Sequence, residues 1–158
     1  MAILHEKFLQ QAIDLAIDNV RRGLGGPFGA LVVKKGEVIA TGTNRVTTSN
    51  DPTAHAEIAA MRAACQKIGA FRLDGCYVYT SCEPCPMCLG ALYWARVKAF
   101  YFAGSQEDAA RGQFDDSFIY GELHKPVDER AIPGRRLLAS EGFRPFEEWL
   151  KSQKKVRY

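Results

Sequence analysis

Apolar residues recur at helical spacing from near the start of the chain. Between Leu4 and Val20, the residues Phe8, Leu9, Ala12, Ile13, Ala16, Ile17 and Val20 fall three or four apart, which predicts an amphipathic helix. Gly23, Gly25, Gly26 and Pro27 end it. Ala30–Val33 and Val38–Gly42 read as strands, and Lys34, Lys35 and Gly36 join them as a hairpin. Asn44 to Pro52 is polar and reads as a loop. Thr53 is placed to cap a second helix running to about Ile68, with Glu57 and alanine-rich turns supporting it. Cys76–Thr80 is a short apolar strand, Pro86–Ala95 a helix with proline tolerated near its start, and Val97–Ala103 a further strand. Leu137–Ser140 is expected to add a fifth, shorter strand. A hairpin that feeds alternating strands and helices implies one mixed sheet with helices on both faces.

No repeat, low-complexity segment or linker breaks the sequence, and 158 residues suit one domain with a core of its own. Hydrophobic residues make up 47% and charged residues 25%, a globular balance that argues against disorder. No apolar run approaches the roughly 18 residues of a membrane span. His5, Glu6 and Lys7 interrupt the short apolar start Met1–Leu4, so no signal peptide is expected and a cytoplasmic protein is. The net charge of +3 is too small for a dedicated nucleic-acid binder. Much of the excess lies in Lys151, Lys154, Lys155 and Arg157, which read as a solvated face or tail.

Five cysteines, an odd number, fit free thiols in a reducing compartment. Cys65 and Cys76 lie in apolar surroundings and read as buried structural thiols. Cys82, Cys85 and Cys88 are spaced by threes. Alone, Cys-x-x-Cys could be a redox pair or half of a structural zinc site. Here CEPCPMC at 82–88 follows PTAHAE at 52–57, and His-x-Glu with Pro-Cys-x-x-Cys is the signature of zinc nucleobase deaminases. Cys85 and Cys88, three apart at a helix start, share one face. His55 is expected in the first turn of another helix, so two positive helix ends converge on the metal and favour thiolates. Three protein ligands leave one tetrahedral position open, the mark of a catalytic zinc. Glu57, two residues from His55, is the proton carrier. A closed Cys3His structural site would enlist Cys82 but leave Glu57 without a use. His5 and His124 fall outside ligand spacing and read as ordinary surface or helix residues.

With both motifs in hand, the sequence resembles the cytidine deaminase superfamily and, within it, the small bacterial guanine deaminases. The resemblance rests on GGPFGA at 25–30, TTSNDPTAHAE at 47–57, YTSCEPCPMCLGALYWAR at 79–96, FDDSFIY at 114–120 and the final Tyr158. It implies an α/β fold, a three-layer α/β/α sandwich with a mixed five-stranded sheet, holding one zinc ion per chain. It also implies conversion of guanine and water to xanthine and ammonia. Asn44, Phe28 and Asp116 are implied base contacts. By themselves they read as a turn asparagine, a core aromatic and, with Asp115, an acidic pair at a helix start. Trp94 reads as core. The resemblance further implies a homodimer that exchanges C-terminal segments, about residues 143–158, so that Tyr158 helps close the neighbouring pocket. The helical spacing of Phe146, Trp149 and Leu150 beside Phe143 and Pro145 suits such docking. The expected partner is a small purine, without nucleic acid or membrane. Competing readings are a tRNA adenosine deaminase, a deaminase of guanosine, cytosine or another aminoheterocycle, and a noncatalytic zinc-stabilised binding module.

Overall fold

The computed structural model describes residues 2–158, with side chains from His5 onward; the side chains of Met1–Leu4 lie outside it. The opening helix α1 spans Ala2–Arg21. Strands β1 (Gly29–Lys34) and β2 (Glu37–Thr43) form the expected hairpin. Its turn residues Lys35 and Gly36 both have positive φ, 52° and 83°, which suits the right-handed twist of the flanking strands. After a four-residue helix α2 (Val46–Ser49) come α3 (Ala56–Ile68), β3 (Cys76–Cys82), α4 (Pro86–Ala95), β4 (Ala99–Gly104) and α5 (Gln106–Arg111).

The sheet order is β2-β1-β3-β4, with β1 antiparallel to both neighbours and β3 parallel to β4. Alternation along the strands divides the core in two. Leu31, Val33 and Tyr79 pack with Phe8 and Ala12 of α1 on one face. Ala30, Val32 and Val78 pack with Ala56, Ala60 and Ala64 of α3 and with Leu92 of α4 on the other. The three-layer arrangement is therefore as expected. The small side chains of α3 let its backbone approach β2 closely. A Cβ on Gly42 would lie 2.3 Å from the Ala56 carbonyl oxygen.

Two expectations are corrected. The sheet has four strands among the described residues, not five. Leu137–Ser140 is irregular: Leu138 takes φ 51°, which no strand allows, and the leucines remain exposed. Thr53 does not cap α3. Its N–H and hydroxyl both donate to the Asp51 carboxylate, at 2.8 and 2.7 Å, and His55 is the capping residue instead.

The chain forms two compact units, Met1–Asp116 and Ser117–Tyr158. The second carries α6 (Ser117–Leu123), a 3-10 turn (Val127–Glu129) and α7 (Arg144–Lys151). None of its residues is buried, and Phe146, Trp149 and Leu150 of α7 present their apolar side chains to solvent.

Candidate active site

The starts of two helices, α3 and α4, bring the motif residues together. Cys85 is the capping residue of α4, in extended conformation, and Pro86 follows at the first helical position. A proline there has no N–H to leave unsatisfied. Cys88 lies within the first turn and is wholly buried. His55 caps α3, a step before the first turn where it was expected, with an extended backbone (φ −73°, ψ 156°). Its carbonyl still accepts the first helical bond from the Ala59 N–H at 2.9 Å. Both capping positions usually carry an oxygen side chain; here they carry an imidazole and a sulfur.

His55 Nδ1 lies 3.6 Å from the sulfurs of both Cys85 and Cys88. Among the described residues, these three form the group able to hold a metal ion. The spacing fits zinc. Bonds of about 2.0 Å to nitrogen and about 2.3 Å to sulfur, at tetrahedral angles, set N and S about 3.5 Å apart. The Cys88 thiol and then the His55 ring hold the Cys85 thiol down to about 4, while the bond to Cys85 pushes the Cys88 thiol up. The Cys85 sulfur in turn raises the His55 ring above its ordinary value. Both sulfurs must be thiolates to hold a divalent cation, so binding one releases protons.

Glu57 follows in the first turn of α3, 6% exposed. Burial, more than any neighbour, raises its carboxyl above the usual carboxylate range. Cys82 stays out of the metal group. It ends β3, its thiol donates to the Ser105 carbonyl at 3.5 Å, and burial pushes it up to about 11. A Cys3His closed site therefore lacks its fourth ligand.

A cavity of about 550 Å³ opens beside this cluster, a volume typical of small-molecule sites. Glu57, His55 and Cys85 line its floor together with Phe28, Asn44 and Asp116. Phe28 meets Phe114 edge-on, ring centroids 5.0 Å apart. Asp116 is half-buried, and its Oδ1 accepts a hydrogen bond from Gln106 Nε2 at 3.1 Å. Asn44 is buried, and its Oδ1 accepts from the N–H groups of Gly26 (3.2 Å) and Val46 (3.3 Å). Those two donors fix which end of the amide is oxygen. With its oxygen taken, the amide keeps its NH₂ as the end able to meet a ligand, a donor rather than both donor and acceptor.

The remaining candidates lie elsewhere. Tyr158 belongs to the second unit and is 70% exposed. Trp94 is 67% exposed on α4, contrary to its reading as core. His5 is a half-buried helix residue of α1: its Nδ1 lies 2.7 Å from the Tyr79 hydroxyl and its ring rests on Tyr101. His124 bonds the Tyr120 carbonyl within the second unit. Cys76 is buried, Cys65 half-buried, and all five thiols are free. Sequence reasoning missed Phe114 and Gln106 as pocket residues, although FDDSFIY had marked Phe114's segment.

A sheet with a buried carboxylate beside a His-Cys-Cys triangle, the triangle set by two helix starts, defines a zinc-dependent deaminase of nucleobases. Residues 3–104 match the family model for the cytidine and deoxycytidylate deaminase zinc-binding region, and the chain belongs to that family. Its relatives are more particular. The guanine deaminase of Bacillus subtilis (strain 168) is 56% identical over 98% of this chain and 99% of its own length. The X-ray structure of guanine deaminase from Bacillus subtilis superposes with a TM-score of 0.95, covering 98% of each chain. The tRNA-specific adenosine deaminase of Agrobacterium fabrum (strain C58) is 47% identical, over 51% of this chain and 53% of its own.

Proposed function

We propose that this chain hydrolyses guanine to xanthine and ammonia, with one zinc ion held by His55, Cys85 and Cys88. The observation that carries the reading is the half-buried Asp116 carboxylate in the same cavity as the metal triangle and Glu57. Guanine presents N–H hydrogens at N1 and at the amine beside the carbon to be attacked, and a carboxylate accepts both through charge-assisted bonds. The 56% identity to a guanine deaminase over nearly the whole chain supports the same substrate.

Zinc, when bound, lowers the pKa of a coordinated water toward about 7. Glu57 carries the protons. Its burial raises the carboxyl above the usual carboxylate range, the direction that favours a proton carrier working near neutral pH. It takes one proton from the attacking water and passes it to the neighbouring ring nitrogen, then takes the second from the hydroxyl now on the attacked carbon and gives it to the amine, so that the carbonyl forms as the C–N bond breaks and ammonia leaves. The Asn44 NH₂ donates to an acceptor on the purine rim, and Phe28 with Phe114 forms an apolar wall against the ring. The five free thiols fit a cytoplasmic enzyme.

A homodimer that exchanges the segment 143–158 completes the reading, with Tyr158 of one chain closing the pocket of the other. An unburied second unit with an amphipathic α7 supports it. The chain needs neither nucleic acid nor membrane for this reaction, and no described helix is long and apolar enough to cross a membrane.

The test is ammonia release from guanine, guanosine, adenine, cytosine and a tRNA stem-loop, by the natural chain and by Asp116→Ala. Guanine is expected to lead. Adenine, with an acceptor at N1, leaves the carboxylate unpaired in a desolvated site and is expected to be rejected strongly. Asp116→Ala should lose guanine turnover while keeping zinc. Preferential release from the tRNA stem-loop would replace this reading with RNA editing.

A further inference from the structure

Asn19 lies in the last turn of α1, outside the cavity, and is 1% exposed. Its Nδ2 donates two hydrogen bonds of 2.9 Å, one to the Gly26 carbonyl and one to the Asn44 carbonyl. Gly26 in turn donates its N–H to the Asn44 side-chain oxygen. Asn19 therefore ties the two loops that meet at Asn44, and the loops tie the amide itself. The packing leaves no slack. A Cβ on Gly25 would lie 2.1 Å from the Asn44 carbonyl oxygen and 3.2 Å from Asn19 Nδ2. The Asn19 Oδ1 meets no donor among the described residues. A buried amide with an unmatched oxygen is destabilising compared with an apolar side chain of the same size, so its use lies on the nitrogen side.

We infer that Asn19 is a positioning residue for purine binding, acting through Asn44: its two donated bonds hold the Gly26 and Asn44 backbones together, so that the Gly26 N–H, with that of Val46, fixes the Asn44 amide in the one orientation that offers its NH₂ to the base. This rests on the reading of Asn44 as a base contact. The metal ligands and Glu57 sit on α3 and α4, and Asn19 bonds to neither helix. Losing Asn19 should thus weaken binding and leave the chemical step nearly intact.

The experiment is a double-mutant cycle on Asn19→Ala and Asn44→Ala, read as kcat and KM for guanine, Kd for xanthine by calorimetry, and zinc content. Asn19→Ala is expected to raise KM and Kd about ten- to a hundredfold, the range for stranding buried carbonyls, with kcat within a few-fold and zinc retained. The double variant should bind no worse than Asn44→Ala alone, because both changes remove one interaction. Asn19→Ser, which keeps one donor, should recover part of the affinity; where Asn19→Ala does not fold, the same cycle is run with Asn19→Ser. Losses that multiply in the double variant, or a fall in kcat with KM unchanged, overturn the proposal. If Asn44→Ala itself leaves KM and Kd unchanged, the base-contact reading of Asn44 falls, and this inference with it. If Asn44→Ala weakens binding and neither Asn19 variant does, only the positioning role falls.

Discussion

Glu57 and His55 differ by two residues but differ completely in what their surroundings ask of them. His55 faces two sulfurs at 3.6 Å, close enough for the three to hold one metal ion, while Glu57 is buried beside them and is the proposed proton carrier. Glu57→Gln preserves size and packing but removes the base. Zinc content should remain at one per chain and turnover should fall by about 100- to 10,000-fold, the range for a lost acid–base group; steady-state rates beside metal analysis decide it, and near-normal turnover with zinc retained excludes the role. These residues could be read from the sequence because a metal site constrains spacing: a capping cysteine and another three positions on must both reach one ion. Asn19 could not be read so. Its role depends on carbonyls 7 and 25 positions away, and an asparagine near a helix end has local uses that look the same. Phe114 and Gln106 were hidden for a similar reason, since an aromatic and an amide gain meaning only from the Phe28 ring and the Asp116 carboxylate they meet.

At the scale of elements, the site is only as exact as the seating of α3. That helix lies so close to β2 that Gly42 has room for no side chain: a Cβ would meet the Ala56 oxygen at 2.3 Å and the Ala60 nitrogen at 2.4 Å. Gly42→Ala must push the N-terminal half of α3 outward, with His55 and Glu57 on it. Overpacking of this kind destabilises by about 1–3 kcal/mol. Chemical denaturation should show that loss, and competition with a chelator should show weaker zinc; zinc affinity equal to the natural chain's would mean that α3 seating and metal geometry are independent. Helices α1, α3 and α4 and the first four strands were legible because period and breakers agreed along them, down to the Lys35–Gly36 turn, whereas the polar stretch 44–52, read as a loop, holds the single helical turn of α2. The start of α3 was misplaced because Asp51 takes both polar groups of Thr53, a competition between neighbours that spacing does not reveal. The apolar run at 137–140 gave no strand because Leu138 adopts a left-handed backbone, which an apolar pattern does not disclose.

Across the whole molecule, the two units are unlike in kind. Residues 1–116 enclose two cores, whereas 117–158 bury none of their side chains and expose Phe118, Leu123, Phe143, Phe146 and Trp149. Apolar surface on that scale marks an interaction face. The proposed dimer gives it a partner and makes each active site a joint product of two chains. Mixing Glu57→Gln protein with protein lacking Tyr158, under conditions that exchange subunits, should restore activity, because some heterodimers then carry one intact site. If exchange is verified by mass spectrometry, activity does not return, and deletion of Tyr158 alone is harmless, the shared site is wrong. The division of the chain has a further consequence, in time rather than in space. Every metal ligand and the proton carrier lie before residue 89, inside the unit that leaves the ribosome first. The zinc centre can therefore be loaded while the last segment is still being translated. In the proposed dimer, metal loading can thus precede assembly, and a cell short of zinc would accumulate the defect before the chains meet.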